Sequence, residues 1–219
     1  MSISSSTVDR YHHGDLRAAL LTAASESLEE GDEAGLSLRA VARRAGVSPN
    51  APYRHFPNKD ALLAALATQG YHELRRRLVE ADACAPAGGE FAALTMAYVN
   101  YAVQHPNRFR LMFGHPCTRS SPETSAAAAA TAAVLDARVA AAIPADEREA
   151  FTIGSWSLAH GFAMLIIDGK IPIDSHNPAQ RNALVASLVM RMTASTVRPV
   201  GAANATVAAS PDSKISTAV

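Results

Sequence analysis

The chain has few of the residues that mark several other classes of protein. Its only two cysteines, Cys84 and Cys117, form neither a disulfide framework nor a paired C-x-x-C motif, so we expect reduced thiols in a cytoplasmic protein. Residues 1–15 contain no apolar stretch, which argues against a secretory signal peptide. The most apolar long segment, residues 151–167, carries two serines, a histidine and two glycines. It is barely long enough to cross a bilayer, so we interpret it as a buried core helix and expect no membrane role.

Strand-forming runs of β-branched residues are scarce, and aromatic residues make up only 5% of the sequence. Alanine is heavily used, and it is the strongest helix former. The composition therefore predicts an all-α fold, and 219 residues suffice for one large domain or two small ones. Apolar spacing and Pro/Gly breaks predict helices over residues 15–30, 38–45, 49–56, 59–80, 90–104, 106–113, 123–142, 144–167 and 179–196.

Net charge is also absent, since 20 basic residues balance 20 acidic ones. This balance argues against a protein that coats nucleic acid over its whole surface, but it allows contact through one small face. Residues 37–59, SLRAVARRAGVSPNAPYRHFPNK, contain no acid and two short helical patterns that join at Gly46. Together these features predict a helix-turn-helix that docks on DNA. The basic residues of this segment are Arg39, Arg43, Arg44, Arg54 and Lys59.

Capping signals delimit the helices of this basic segment. Ser37 and Asn58 are predicted to cap the helices that follow them, and Gly46 to end the first helix in a left-handed conformation. Ser48 is predicted to cap the second helix, with Pro49 at its first position.

Three short motifs connect this segment to a known family. They are GVS at residues 46–48, YRHF at 53–56 and NKDALL at 58–63. Over about residues 12–66 the chain resembles the N-terminal domain of the tetracycline-repressor (TetR) family of bacterial transcription regulators. The resemblance implies a three-helix DNA-binding domain and a larger helical domain that binds a small effector and dimerises. We accordingly expect a helix-turn-helix domain (12–72) and an effector-binding and dimerisation domain (73–198). The sequence itself predicts a disordered N-terminus (1–11), a disordered, small and polar tail (199–219), and a hinge at the Pro/Gly-rich residues 86–89.

Two further features resemble one subgroup of that family. The pattern Trp156-x-x-x-His160-Gly161 is similar to a Trp/His/Gly-marked subgroup of the C-terminal domains. Pro52, where many members carry leucine, also occurs in that subgroup. Because proline lacks an N–H group, Pro52 removes a donor near the end of the first turn of the recognition helix.

Base edges are read by the N-terminal residues of a recognition helix, while flanking groups hold phosphates. Asn50 can pair with adenine and Arg54 with guanine, and Ala51 can touch a thymine methyl group. The remaining candidates for this surface are Ser37, Arg39, Ser48, Pro49, Tyr53, His55 and Lys59, of which Arg39 is added by the resemblance. The alternatives are a turn residue for Asn50, a core aromatic for Tyr53 and a solvated charge for Arg39. For Arg43 and Arg44, exposure on a solvated helix face and attraction to DNA phosphates are equally good interpretations.

An apolar effector pocket is the second predicted site, because methionine and aromatic clusters suit apolar ligands. Trp156 and His160 lie one helical turn apart. The candidate pocket residues are Tyr98, Tyr101, Met112, Phe113, Trp156, His160 and Met164, and ordinary core packing is the alternative for each.

No catalytic constellation is present in the sequence. It has no Gly-rich phosphate loop, G-x-S-x-G turn or H-E-x-x-H motif, and His105, His115 and Cys117 have no metal-site spacing. We therefore expect no enzyme activity, cofactor or metal. We predict that the protein is a dimeric, sequence-specific transcription regulator. Our first interpretation is a repressor that a small apolar effector releases from DNA. It would bind double-stranded DNA at a pseudo-palindromic operator and dimerise through its last two long helices. The alternative is an all-helical ligand-binding or enzymatic protein with no DNA role.

Overall fold

The computed structural model describes residues 13–31, 35–116, 121–171 and 177–194. Every regular element within these ranges is a helix, so the all-α prediction is confirmed. The predicted disordered ends, 1–11 and 199–219, lie outside the described residues, as does Cys117. The helices are α1 (His13–Glu30), α2 (Leu38–Arg44), a 3-10 helix (Ala51–Arg54), α3 (Lys59–Cys84), α4 (Glu90–Gln104), α5 (Pro106–Gly114), α6 (Pro122–Ala142), α7 (Arg148–Ile167) and α8 (Pro178–Ala194).

The predicted caps of α2 and α3 are present in the structure. The side-chain oxygen of Ser37 accepts a hydrogen bond from the backbone N–H of Ala40 at 3.1 Å. Asn58 accepts one from the N–H of Ala61 at 2.8 Å. Gly46 has a φ of +69°, the left-handed conformation expected of the glycine that ends a helix.

The second helix of the helix-turn-helix differs from the prediction. A helix capped by Ser48 would form its first α-type hydrogen bond from the N–H of residue 52 to the carbonyl of Ser48. Pro52 has no N–H, and Ala51 instead donates to Ser48 at 3.0 Å, a tighter i to i+3 turn. The predicted α-helix over residues 49–56 is therefore wrong. Only a 3-10 helix of four residues forms, and Pro52 is its buried residue.

A main apolar core runs along α3, and a smaller second cluster of Val139, Ile143 and Phe151 lies where α6 ends and α7 begins. Helix α3 packs against α1, α4, α5 and α6, while α4 packs against α7 and α8. The α3 helix extends to Cys84, beyond the predicted end near residue 80, because no helix breaker occurs before Pro86. It also runs unbroken through residue 72, so the two predicted domains share one rigid element.

The start of α7 is a second difference from the prediction. Pro144 was expected to open this helix, but residues 144–147 form a turn and α7 begins at Arg148. The Arg148 guanidinium donates to the carbonyls of Ile143 at 3.0 Å and Ala140 at 2.8 Å. These bonds satisfy two carbonyls at the end of α6 and connect them to the first residue of α7.

Two helices, α6 and α7, are long and apolar enough to cross a membrane by length and composition. In the structure α6 packs along α3 and α7 packs along α4, as expected for helices that cover a protein core.

Candidate DNA-binding surface and ligand cavity

The helix-turn-helix presents polar residues on one side because apolar residues hold its other side to the core. Leu38 and Val41 of α2, Pro52 of the 3-10 helix and Phe56 after it are all buried. Several polar residues next to them in sequence, such as Arg39 and Tyr53, are exposed as a result. Of the predicted DNA-contact residues, Ala51, His55 and Lys59 are half-buried. The exposed ones are Ser37, Arg39, Ser48, Pro49, Asn50, Tyr53 and Arg54.

The basic residues of this surface fall into two groups. Arg44 pairs with Glu30 at 2.5 Å and with Glu26 at 3.0 Å, both on α1. These carboxylates hold the pKa of Arg44 above its usual range. Arg44 therefore joins α2 to α1 and is compensated within the protein. Among the described residues, Arg39, Arg43 and Arg54 have no acidic partner and leave a positive surface around the 3-10 helix.

His55 is placed differently from its neighbours. Its side chain lines a shallow cleft with Arg17, Asp60 and Glu123, between the start of α3 and the start of α6. Its Nε2 atom is buried and has no hydrogen-bond partner among the described residues. This nitrogen is therefore turned away from the surface that carries Arg39 and Arg54.

An apolar cavity of about 430 Å³ lies within the C-terminal helices, a size suited to a small organic ligand. The alanine-rich sequence of α6 contributes Ala128, Ala129 and Ala132 to the wall. Because these side chains are short, they cannot fill the space between α6 and the larger side chains of α3, α4 and α7. The short side chains of α6 thus leave room for the cavity on that side.

Three of the predicted pocket residues, Tyr98, Phe113 and Trp156, line this cavity. The other four do not. Tyr101 and Met112 are fully buried beside Gly70 of α3, where an added Cβ atom would lie 2.5 Å from the Met112 sulfur. His160 stands behind the wall, against Tyr98 and Phe113, and Met164 packs against the core.

Sequence reasoning missed most of the cavity wall. Tyr71, Leu74 and Leu78 of α3 line it at helical spacing, and so do Phe91 and Leu94 of α4. Their periodicity was the only available signal, and it is the same for a residue facing a cavity as for one facing a filled core. The further residues that were missed include Thr95, Thr131, Leu135, Asp136, Thr152, Ser155, Leu158, Ala159, Val189 and Met192.

The tyrosines near the cavity are kept neutral by their surroundings. Burial raises the pKa of Tyr71 to about 12 and that of Tyr98 above its usual range. Burial also lowers the pKa of His160, which favours the uncharged imidazole. The tyrosine hydroxyls at the cavity wall therefore stay neutral, and the imidazole behind them favours its uncharged form.

Comparison with known proteins agrees with this two-part arrangement. A family model described as "Bacterial regulatory proteins, tetR family" matches residues 20–66, which include the helix-turn-helix. A second model, "Tetracyclin repressor-like, C-terminal domain", matches residues 91–207, more than half of the chain. The chain belongs to the TetR family.

Relatives of this TetR-family chain include an HTH-type transcriptional regulator of Mycobacterium tuberculosis (strain ATCC 25618 / H37Rv), 32% identical over 104 residues. That match covers 46% of this chain and 44% of the relative, so the chain spans less than half the length of the curated relative. Among solved structures, a protein of unknown function from Rhodococcus sp. RHA1 is 31% identical, with a TM-score of 0.74. It covers 87% of this chain and 100% of its own.

A tetR-family transcriptional regulator from Streptomyces coelicolor is 22% identical with a TM-score of 0.66, covering 84% of each chain. At this identity the likeness concerns the fold alone. The solved structures thus match the arrangement of a helix-turn-helix joined to a larger helical body.

Proposed function

We propose that this TetR-family protein is a dimeric, sequence-specific DNA-binding transcriptional regulator, a cytoplasmic repressor released by a small apolar effector. The observation that carries the proposal is the pairing of two sites on one continuous framework. A positive surface surrounds the 3-10 helix, and an apolar cavity of about 430 Å³ lies in the helical body. The α3 helix begins beside the first site and lines the second.

Base contacts are assigned to the exposed polar residues at the front of the helix-turn-helix. Asn50 immediately precedes the 3-10 helix, Arg54 is its last residue, and Arg39 projects from the first turn of α2. Arginine pairs with guanine and asparagine with adenine, and each bidentate pair contributes about 1–3 kcal/mol of discrimination. Pro49 and Ala51 would complete the base-reading surface. Phosphates would be held by Ser37, Ser48, Tyr53 and Lys59, and by the part of the His55 ring other than its buried Nε2 atom.

A dimer is supported by the apolar surfaces of the last two helices. Ile153 and Leu165 on α7 and Leu184 and Met190 on α8 are exposed in the single chain. An isologous contact between the α7–α8 pairs of two chains would cover these residues in a four-helix bundle. It would also place two 3-10 helices on one face, as a pseudo-palindromic operator requires.

Effector binding can reach the DNA-binding part through α5. Phe113 of α5 lines the cavity, and seven residues earlier the same helix begins beside α1. There Asn107 donates to the carbonyls of Leu28 at 2.9 Å and Gly31 at 2.5 Å, at the end of α1. A ligand that displaces Phe113 would therefore shift α5 against α1 and change the spacing of the two reading surfaces. Release follows if the ligand binds the altered geometry more tightly than the DNA-bound one.

The test is a footprint of the purified protein on the promoter region upstream of its own gene. We expect protection of one pseudo-palindromic site and an affinity that falls steeply as salt rises, because phosphate contacts release counterions. Binding with no preference over bulk DNA would contradict the proposal. A screen of small molecules for release of the footprinted complex then tests the effector step.

A further inference from the structure

One hydroxyl group in the cavity wall has no partner in the protein. Ser155 of α7 lines the cavity and is 9% exposed, and its Oγ atom is itself buried and forms no hydrogen bond among the described residues. A ligand in the cavity therefore reaches this hydroxyl after rotation about the Cα–Cβ bond to another staggered rotamer. Other buried hydroxyls of the wall are satisfied. Thr131 donates to the carbonyl of Tyr71 at 3.1 Å, and Tyr98 is bonded to Nδ1 of His160 at 2.9 Å. A buried hydroxyl without a partner is unfavourable, so a group in the cavity that pairs with Ser155 gains the full benefit of the bond.

The charge of the wall restricts the ligand further. Among the described residues that line the cavity, Asp136 is the only charged one, and the wall contains no arginine, lysine or histidine. The Asp136 side chain is exposed, so it lies at the mouth and not in the interior. A carboxylate or phosphate inside the cavity would lose its hydration and meet no cation in return, which is strongly unfavourable.

We propose that the cavity takes an uncharged, predominantly apolar molecule with a hydroxyl or carbonyl group that hydrogen-bonds to Ser155, and that it discriminates against anions. This assignment rests on the proposed function, because it specifies the chemical class of the effector. The apolar walls bind the body of the molecule, and Ser155 sets its orientation. Specificity arises because an analogue without the polar group leaves the Ser155 hydroxyl unpaired.

The protein contains its own reporter for this test. Trp156 is the sole tryptophan of the chain and lines the cavity, so its fluorescence reports occupancy without a label. Decan-1-ol and decanoate have the same chain length and differ in their charged head group. At neutral pH we expect saturable quenching by decan-1-ol, with decanoate at least about tenfold weaker because its charge is buried without compensation. Equal affinities, or no saturable binding of decan-1-ol, would overturn the proposal.

The role of Ser155 is tested with matched variants on the same helix. Ser155→Ala should weaken decan-1-ol binding about threefold to tenfold, the usual effect of losing one neutral hydrogen bond. Ser155→Thr keeps a hydroxyl and should retain most of the affinity. Ser157→Ala is the control, because Ser157 is exposed and does not line the cavity. If Ser155→Ala binds decan-1-ol as well as the Ser157→Ala control, the assignment of Ser155 is wrong.

These measurements contain no DNA, so they separate this inference from the proposed function. A protein that binds decan-1-ol through Ser155 but has no operator would refute the regulator and leave the ligand class standing. A protein with a footprinted operator that binds decanoate as tightly as decan-1-ol would refute the ligand class alone.

Discussion

The hydroxyl of Tyr98 and Nδ1 of His160 share a hydrogen bond of 2.9 Å across the interface of α4 and α7. Tyr98 faces the cavity, and His160 stands behind it, stacked against Phe109 at 5.3 Å between ring centroids. Trp156, one turn before His160, reaches the cavity directly. The two marked residues of the Trp156-x-x-x-His160 pattern therefore differ in role, since one forms the wall and the other supports it.

Stability should decrease on acidification because of His160. Burial lowers the pKa of this imidazole below its ordinary value of 6.5, so the unfolded chain takes up a proton at a higher pH than the folded protein does. The folded state therefore loses stability as the pH falls below 6.5, and this contribution is fully present above it. We expect the melting temperature to fall between about pH 7.5 and pH 5.5, and to fall less steeply in His160→Gln. Parallel pH profiles for the two proteins would contradict this prediction.

Substitution of Arg54 or Tyr53 should weaken operator binding without affecting the fold. Both side chains are exposed on the 3-10 helix and contribute little to the core. Arg54→Ala should cost about 1–3 kcal/mol of binding and relax sequence preference at one base pair, whereas Tyr53→Ala should weaken binding to all sequences. Arg75→Ala is the control, because Arg75 is exposed on α3, away from this surface. Fluorescence anisotropy gives the affinities, and a change of dimerisation in either variant would place that residue in the fold.

Filling the cavity should produce a repressor that no longer responds to its effector. Ala128 lines the cavity on α6, and Ala128→Phe places a ring in the space that the ligand would occupy. We expect unchanged operator affinity and loss of effector-induced release in a gel-shift titration. Ala133→Phe serves as the control, since Ala133 is exposed on the same helix and does not line the cavity. Effector release that persists in Ala128→Phe would show that the ligand binds elsewhere.

Charges on the apolar face of α7 and α8 should disrupt the dimer. Leu165 and Leu184 are 44% and 39% exposed in the single chain. In Leu165→Glu/Leu184→Glu, the buried carboxylates would be uncompensated, so sedimentation should report monomers and operator affinity should drop. Val79→Glu introduces the same charge at a valine that is 46% exposed on α3 and should leave the dimer intact. A stable dimer of the double variant would move the interface to another surface.

The helix-turn-helix was largely predictable because its signals are local. Ser37 and Asn58 cap helices through groups three residues away, and Gly46 adopts its left-handed φ whatever packs around it. The motifs at residues 46–63 belong to the same contiguous stretch. The 3-10 helix was predicted wrongly although its signal is also local. The sequence shows that Pro52 lacks an N–H group, but the loss of the α-type hydrogen bond to the Ser48 carbonyl was not inferred from it.

By itself, the sequence determined the helical class, the position of the basic segment and the family to which the chain belongs, because these depend on composition and on residues close together in the chain. Only the tertiary structure decided which basic residues are neutralised by carboxylates and which apolar residues line a cavity. Arg44 is neutralised by Glu26 and Glu30 from another helix, whereas Arg54 is left without an acidic partner among the described residues. The cavity likewise exists because the short side chains of α6 face large ones on α3 and α4. The spacing of apolar residues within one helix does not reveal which side chains of a distant helix they will face.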